Sequence, residues 1–305
     1  MTPLRHVVAA TDLSPRSRNA VRRAAEVAAR TGARCTLLYA LGVDDAVGLV
    51  GALAPFRRSV PQSLLQQARA ELDAVAATER AAHPGLSVDA RVDRAAATTA
   101  VPAVAKSVGA DLMVIGPRGR SIARRLLLGS TASRLLRQTR CAVLVARQAP
   151  KGPYRRVLVA IDFSPGSLAT VQMAMRVAPG ARLVLLHAFE APFEGLLVYA
   201  GVNDAAIKRY QDEARDAALE QLQALARDAG LSTDEYLPVV RHGDALRILL
   251  ERQRRLACDL VAMGKHGTGV TEDLLLGSLT ERVLAGAPVD VLVVVDPRQP
   301  TRDIT

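Results

Sequence analysis

The chain has 305 residues, half of them hydrophobic, with 3% aromatics, no tryptophan and a formal charge of +10. The length fits about two domains, and cores of Ala, Val, Leu and Ile suit buried parallel strands covered by Ala-rich helices. No run approaches the ~20 apolar residues of a membrane span, and the N-terminus leads into a strand without the basic and apolar regions of a leader, so the expectation is a cytoplasmic protein with no membrane partner.

The first half opens with an apolar strand, His6-Val-Val-Ala-Ala-Thr-Asp12, followed by Leu-Ser14-Pro15. Serine before proline predicts a helix start, the hydroxyl capping the first turn and proline occupying the first helical position. A helix near 15–31 ends at Gly32-Ala-Arg34, and the strand Cys35-Thr-Leu-Leu-Tyr39 follows. Next come a long helix over 62–82, a short strand near 87–92, a helix near 98–108 and the apolar strand Asp111-Leu-Met-Val-Ile115. A glycine-rich stretch, a helix over Ser130–Gln138 and a strand at 142–146 close the half.

After a linker, Gln148-Ala-Pro-Lys-Gly-Pro-Tyr154, the same order returns. Val157-Leu-Val-Ala-Ile-Asp162-Phe-Ser164-Pro165 repeats the opening, and Gly180-Ala-Arg182 and Leu183-Val-Leu-Leu-His187 repeat the second strand's approach. Helices follow near 165–178, 204–229, 244–256 and Ser278–Ala285, with strands near 235–240, Asp259-Leu-Val-Ala-Met263 and 289–295. Ala218, Leu222, Leu225 and Ala226 form the apolar stripe of the second long helix. Strands alternating with helices imply parallel sheets covered on both faces. A repeat offset of 150 residues at the start and 148 thereafter means domain duplication, not a solenoid.

One glycine signature occurs in both halves. The first reads Gly116-Pro-Arg-Gly119, nine residues, then Gly129-Ser130; the second reads Gly264-Lys-His-Gly267, nine residues, then Gly277-Ser278. Each copy lies between a strand and a helix start. Glycine admits close backbone approach, and the free N–H groups and dipole of a helix N-terminus favour an anion. The pattern resembles the ATP-binding branch of the universal stress protein family. The resemblance implies a tandem α/β chain of two doubly wound five-stranded parallel-sheet domains, with the adenine nucleotide alpha hydrolase-like fold, at residues 1–148 and 154–297. In such open sheets ligands bind beyond the carboxyl ends of the strands where the order reverses. With the family's order 3-2-1-4-5, Asp12 and Gly116 meet at one such crevice.

The resemblance also distributes roles. Asp12 and Asp162 contact the adenine or its neighbouring backbone, or else cap the next helix. Backbone at Tyr39-Ala40 and His187-Ala188 touches the adenine edge, with the Tyr39 and His187 side chains read as packing residues. Gly116, Gly119, Gly129, Ser130 and Thr131 hold the triphosphate in the first half; Gly264, Gly267, Gly277, Ser278, Leu279 and Thr280 do so in the second. The alternative is that the glycines serve only their turns. Arg118, with Arg120, Arg124 and Arg125, either adds phosphate contacts or faces solvent. Lys265 and His266 lie in the second loop, near Glu272 and Asp273, which repel phosphate if they face inward. Two departures from the family stand out. Gly243-Asp244-Ala245 keeps a Gly-Asp turn that Ala95-Ala96-Ala97 lacks. Ala142 and Asp290 replace a proline before the last strand, and Asp290 is expected to disfavour one edge pairing, although Val143-Leu-Val145 is the natural partner for Val291–Val295.

Catalytic signatures are absent. No Gly-x4-Gly-Lys-Ser/Thr is present, and the five histidines and three cysteines show no metal-ligand spacing. Cys35, Cys141 and Cys258 read as small buried hydrophobes. Charge is uneven, with 22 Lys and Arg against 10 Asp and Glu in residues 1–150, and 18 against 20 thereafter. A nucleic-acid role for the basic half lacks the interleaved aromatics on which bases stack. The expected function is binding of ATP, with Mg, ADP or AMP as variants, coupled to a protein partner in a stress or regulatory response. A slow ATPase or autophosphorylating enzyme and a scaffold with empty sites are the alternatives, and dimerisation of the two-domain chain is open.

Overall fold

The structure is a computed structural model and describes residues 2–42, 62–117, 128–190, 199, 202–267 and 276–296. The chain divides into two compact units, one of Met1–Pro153 with Pro288–Val293 and the other of Tyr154–Ala287 with Val294–Thr305.

In the first unit the described elements are β1 (His6–Thr11), α1 (Arg18–Thr31), β2 (Arg34–Ala40), α2 (Gln62–Ala82), β3 (Val88–Asp93), α3 (Ala97–Ser107), β4 (Leu112–Ile115), α4 (Ser130–Gln138) and β5 (Ala142–Val145). The strands run parallel in the order β3-β2-β1-β4-β5. Register is set by apolar residues: Val7 lies opposite Cys35 on one side and Leu112 on the other. Val7, Val8, Ala9, Leu112, Met113 and Val114 are buried to the last side chain, as strands covered on both faces require. Gly32, at φ 71°, ends α1 in the left-handed conformation that glycine adopts without a β-carbon clash.

The last strand of the sequence, β10 (Asp290–Val294), runs antiparallel to β5, with Val291 opposite Val145, Leu292 opposite Leu144 and Val293 opposite Val143. Val143–Val145 is thus the partner the sequence indicates. The part expected of Asp290 is corrected. Asp290 is 2% exposed, its Oδ1 accepts the Arg147 N–H at 2.7 Å and its Oδ2 takes the Arg23 Nε–H at 3.1 Å. Arg23 also donates to Glu26 at 2.6 Å and to the Gly152 carbonyl at 3.1 Å. The carboxylate anchors the pairing because its charge is met by a buried guanidinium and its lone pairs by backbone N–H groups.

The second unit contains β6 (Arg156–Ile161), α5 (Gly166–Val177), β7 (Arg182–Phe189), α6 (Asp204–Asp228), β8 (Tyr236–His242), α7 (Ala245–Arg255), β9 (Leu260–Gly264) and α8 (Ser278–Gly286). Its parallel strands follow the order β9-β6-β7-β8. Asn203 and Asp244 cap α6 and α7, accepting the N–H groups of Ala206 and Arg247 at 2.8 Å. The first half replaces the Asp244 cap differently: Ala96 offers no side-chain cap to α3, while Asp93 Oδ1 holds the Ala95 N–H at 2.9 Å one step earlier.

In the first half Ser14 caps the turn after it as the sequence indicates, its Oγ accepting the Ser17 N–H and its carbonyl the Arg18 N–H, both at 3.2 Å, while the regular helices start slightly later than Pro15 and Pro165. α1 begins at Arg18 behind Ser17, and α5 begins at Gly166 behind Pro165, neither with a side-chain cap on its N-cap residue. The cause lies upstream. Asp12 and Asp162 each capture the N–H two residues on, at Ser14 and Ser164, both at 3.0 Å. The intervening Leu13 and Phe163 take φ of 61° and 58°. This Asx-type turn leads into the serine cap, and the regular helix is delayed to Arg18 in the first half and Gly166 in the second.

Candidate functional site

Each repeat brings a strand end, a pinched loop and a helix N-terminus together where its strand order reverses. In the first, β1 and β4 are neighbours and Gly116 follows β4 directly. The Gly129 N–H bonds to the Pro117 carbonyl at 2.8 Å, closing the loop at its base and aiming α4 from there. Ser130 and Thr131 sit exposed on the first turn of α4, behind the N-cap Gly129, and no acidic residue occupies that turn. Arg118 and Gly119, with Arg120, Arg124 and Arg125, lie outside the described residues, as do Glu272 and Asp273 of the second loop.

The second repeat shows the same closure at closer range. The Gly277 N–H bonds to the Lys265 carbonyl at 3.0 Å. A β-carbon on Gly277 would lie 3.4 Å from that carbonyl, and one on Gly264 would lie 3.1 Å from the His266 carbonyl. At Gly267 a β-carbon would meet Asp162 Oδ2 at 3.1 Å. The glycines sit where the loop after β9, the start of α8 and the carboxylate ending β6 approach closely, most tightly against backbone at Gly264. Ser278 is exposed on the first turn of α8 and Leu279 is half-buried. Thr280 is 3% exposed and donates its hydroxyl to the Gly264 carbonyl at 3.0 Å, which ties the helix to the strand end. In this structure that hydroxyl braces the cradle from behind. Glu281 in the first turn of α8 gives this helix start a charge that α4 lacks.

Asp162 is exposed, and its Oδ1 takes both the Ser164 N–H and the Ser167 hydroxyl at 3.0 Å. One oxygen organises the turn while the other faces Gly267. Asp12 serves its own turn in the same way, supported by Thr11 Oγ1, which accepts the Leu13 N–H at 3.0 Å and bonds Ser17 Oγ at 2.8 Å. Tyr39 and Ala40 are half-buried at the end of β2, whose exit is fixed by the Leu41 N–H bonding the Asp93 carbonyl at 2.8 Å.

His187 and Ala188 occupy the matching end of β7. His187 Nδ1 is 2.8 Å from the Ile161 carbonyl on β6. Its ring lies 4.4 Å from that of Phe163 and runs parallel to that of Phe189 at 6.4 Å, and Phe189 meets His242 edge-on at 5.4 Å. Sequence reasoning passed over this row of four rings. Its signal was the spacing of two between His187 and Phe189, which puts both on one side of a strand, and the register that sets Phe189 opposite His242. The cysteines lie elsewhere and are unreactive in kind: burial pushes the Cys35 and Cys141 thiols up to about 12 and that of Cys258 to about 11.

Comparison with known proteins follows the repeat. The profile described as the universal stress protein family matches residues 3–147 and again 153–295. Universal stress protein Rv2005c of Mycobacterium tuberculosis is 30% identical over 203 residues, covering 64% of this chain and 66% of that protein, just under two thirds of its length. A universal stress protein of Mycolicibacterium smegmatis is 28% identical over 300 residues, covering 94% of this chain and 96% of its own. Among solved structures, a universal stress protein from Archaeoglobus fulgidus superposes with a TM-score of 0.63 at 17% identity, over 95% of this chain and 98% of that one. At that identity the likeness speaks to the fold alone. No described helix is long and apolar enough to cross a membrane.

Proposed function

Because the chain belongs to the universal stress protein family, we propose that it binds ATP in two crevices, one in each of the domains 1–148 and 154–297, and acts through nucleotide occupancy rather than turnover. The observation that carries this reading is the duplicated closure, Gly129 N–H to Pro117 and Gly277 N–H to Lys265. It holds the N-terminus of α4 or α8 open beside the reversal of strand order, where backbone N–H groups and the helix dipole favour phosphate. In this reading Gly116, Gly119, Gly129, Ser130 and Thr131 take the phosphates of one nucleotide, with Arg118 as a further cation. Gly264, His266, Gly267, Gly277, Ser278 and Leu279 take those of the other, and Thr280 supports them from behind. Asp12 and Asp162 meet the nucleoside side while holding their turns. Mg supplies charge neutralisation between phosphates when bound with ATP, and no step here requires it to act otherwise.

Occupancy sensing follows from differential binding: ATP changes the surface around the two cradles, and a protein partner reads the result. The sequence carries no Gly-x4-Gly-Lys-Ser/Thr signature of a P-loop ATPase, and in this reading ATP is retained rather than hydrolysed. The test is to incubate the purified chain with Mg-ATP, remove free nucleotide, denature the protein and identify what is released by mass spectrometry. Intact ATP is the expected result. Stoichiometric ADP formed within one incubation, absent from a Gly129/Gly277 double variant, would show an enzyme instead.

A further inference from the structure

The buried face of α2 differs from its counterpart in the second repeat by one charge. Its buried residues are Ala68, Leu72, Ala76 and Glu79, whereas those of α6 are Ile207, Ala218, Leu222 and Ala226. A carboxylate thus stands where packing alone asks for an apolar side chain. Glu79 is 5% exposed. Among the described residues its carboxylate has no hydrogen-bond or ion-pair partner, while its backbone carbonyl accepts the His83 N–H at 3.0 Å. Burial pushes its carboxyl above the usual carboxylate range, and the charges of His83 and Arg22 offset that only in part. Glu26 on α1, also buried, shows the ordinary solution, with the Arg23 guanidinium at 2.6 Å. A buried carboxylate without such a partner is costly until one arrives.

Glu79 instead borders a cavity of about 370 Å³ between α1 and α2, a size suited to a small molecule. Helix spacing puts it there. Glu71, Val75, Thr78 and Glu79 lie at i, i+4, i+7 and i+8 on one face of α2, and Arg18, Val21 and Arg22 share a face of α1. Val21 and Val75, with Leu13 from the turn after Asp12, give the cavity apolar walls. Arg18 and Arg22 are exposed and make no ion pair among the described residues, whereas the exposed Glu71 accepts the Gln67 side-chain N–H at 3.0 Å. The cavity thus combines a buried carboxylate, apolar walls and two unpaired guanidinium groups at its exposed edge. At the repeat offset of 150, Leu168 and Gln172 replace Arg18 and Arg22. The second repeat lacks these cations as well as the buried carboxylate.

We propose that this cavity binds a small organic ammonium, whose cation meets the Glu79 carboxylate and whose short aliphatic body packs against Val21, Val75 and Leu13. An ammonium supplies both the N–H donors and the charge that Glu79 lacks. A neutral alcohol of the same shape supplies a donor without the charge. A bare metal ion fits poorly, because hard cations take six or more oxygen ligands and the walls here are apolar. Arg18 and Arg22 separate two sources of this chemistry. An amino acid brings a carboxylate for them to meet; a simple alkylamine does not. The proposal stands apart from the nucleotide reading.

The probes are isopentylamine, isopentanol, which lacks the charge, and leucine, which adds a carboxylate. Each is titrated into the full chain at pH 8, where an alkylammonium of ordinary pKa stays charged, and the methyl NMR signals of Val21 and Val75 report the site. Isopentylamine is expected to bind saturably with a Kd of about 1 mM and to move both signals; isopentanol should bind about tenfold more weakly or worse. Glu79→Gln keeps the side chain's shape and should weaken the amine by about tenfold or more, leaving isopentanol within about twofold. Val75→Phe fills the cavity without touching a charge and should abolish binding of both. Leucine binding more tightly than isopentylamine, with the advantage lost in Arg22→Gln, assigns the site to an amino acid; leucine binding more weakly assigns it to a simple amine. Equal amine affinity in the wild type and Glu79→Gln, or saturation that leaves Val21 and Val75 unmoved, overturns the proposal. So does the absence of amine binding by a wild-type chain that shows a cooperative thermal transition.

Discussion

Gly264 and Gly267 both exclude a β-carbon by contact, and neither has a positive φ. What they must yield to differs. Alanine at 267 meets Asp162 Oδ2, the tip of an exposed side chain that can swing aside; alanine at 264 meets the His266 carbonyl, which is backbone. Gly267→Ala is therefore expected to lower Tm by about 2 °C or less and Gly264→Ala by more, a difference of about 1 kcal/mol. Both should weaken ATP at the second crevice by about tenfold, because one displaces the nucleoside-side carboxylate and the other the cradle. Thermal unfolding beside equilibrium dialysis separates the two effects. These glycines were legible in the sequence because the pattern recurs at a fixed offset between a strand and a helix start. Thr280 was legible only as a residue near the phosphates. Its bond to the Gly264 carbonyl depends on a helix pitch and a strand end that sequence spacing does not specify. The ring row escaped for a related reason, since Phe163 comes from the turn after β6, His187 from β7 and His242 from β8, and their proximity exists only in the folded sheet.

At the scale of elements, the long helix α2 over 62–82 was read from the sequence to its bounds, and the other helices and strands to within a few residues. Amphipathic stripes and short apolar runs between glycines set those limits locally. The helix starts after Asp12 and Asp162 were read to within three residues, and the Asx-type turn with its left-handed Leu13 or Phe163, which sets where each regular helix begins, was not legible. Asp290 was misjudged because its partner Arg23 is 267 residues away. That ion pair is strongly buried, with side-chain exposures of 7% and 2%. Replacing one member leaves a buried charge, so Arg23→Met is expected to destabilise the first unit by about 3 kcal/mol in denaturant titration. Asp290→Asn combined with Arg23→Met should recover part of that loss, since Oδ1 still accepts the Arg147 N–H and one of the two carboxylates facing Arg23 is neutralised, Glu26 being the other. Equal losses in the single and double variants would show that the strand pairing, and not the charge, holds β10.

For the whole molecule, two copies of one fold have kept the same loop closure, Gly129 to Pro117 and Gly277 to Lys265, while diverging around it. The first repeat joins a strongly basic composition to an α4 start free of acidic residues; the second places Glu281 on α8 but surrounds the nucleoside end with four rings. On the proposed nucleotide reading, charge attraction to phosphate weighs more in the first crevice than in the second, so the two nucleotides are expected to differ in salt dependence. Charge attraction fades with salt and stacking does not. The most direct test is equilibrium dialysis of the full-length protein against Mg-ATP at low and moderate salt, counting nucleotide per chain. The account predicts two ATP per chain at saturation, one of them weakening markedly as salt rises; no saturable ATP at either salt concentration would contradict it.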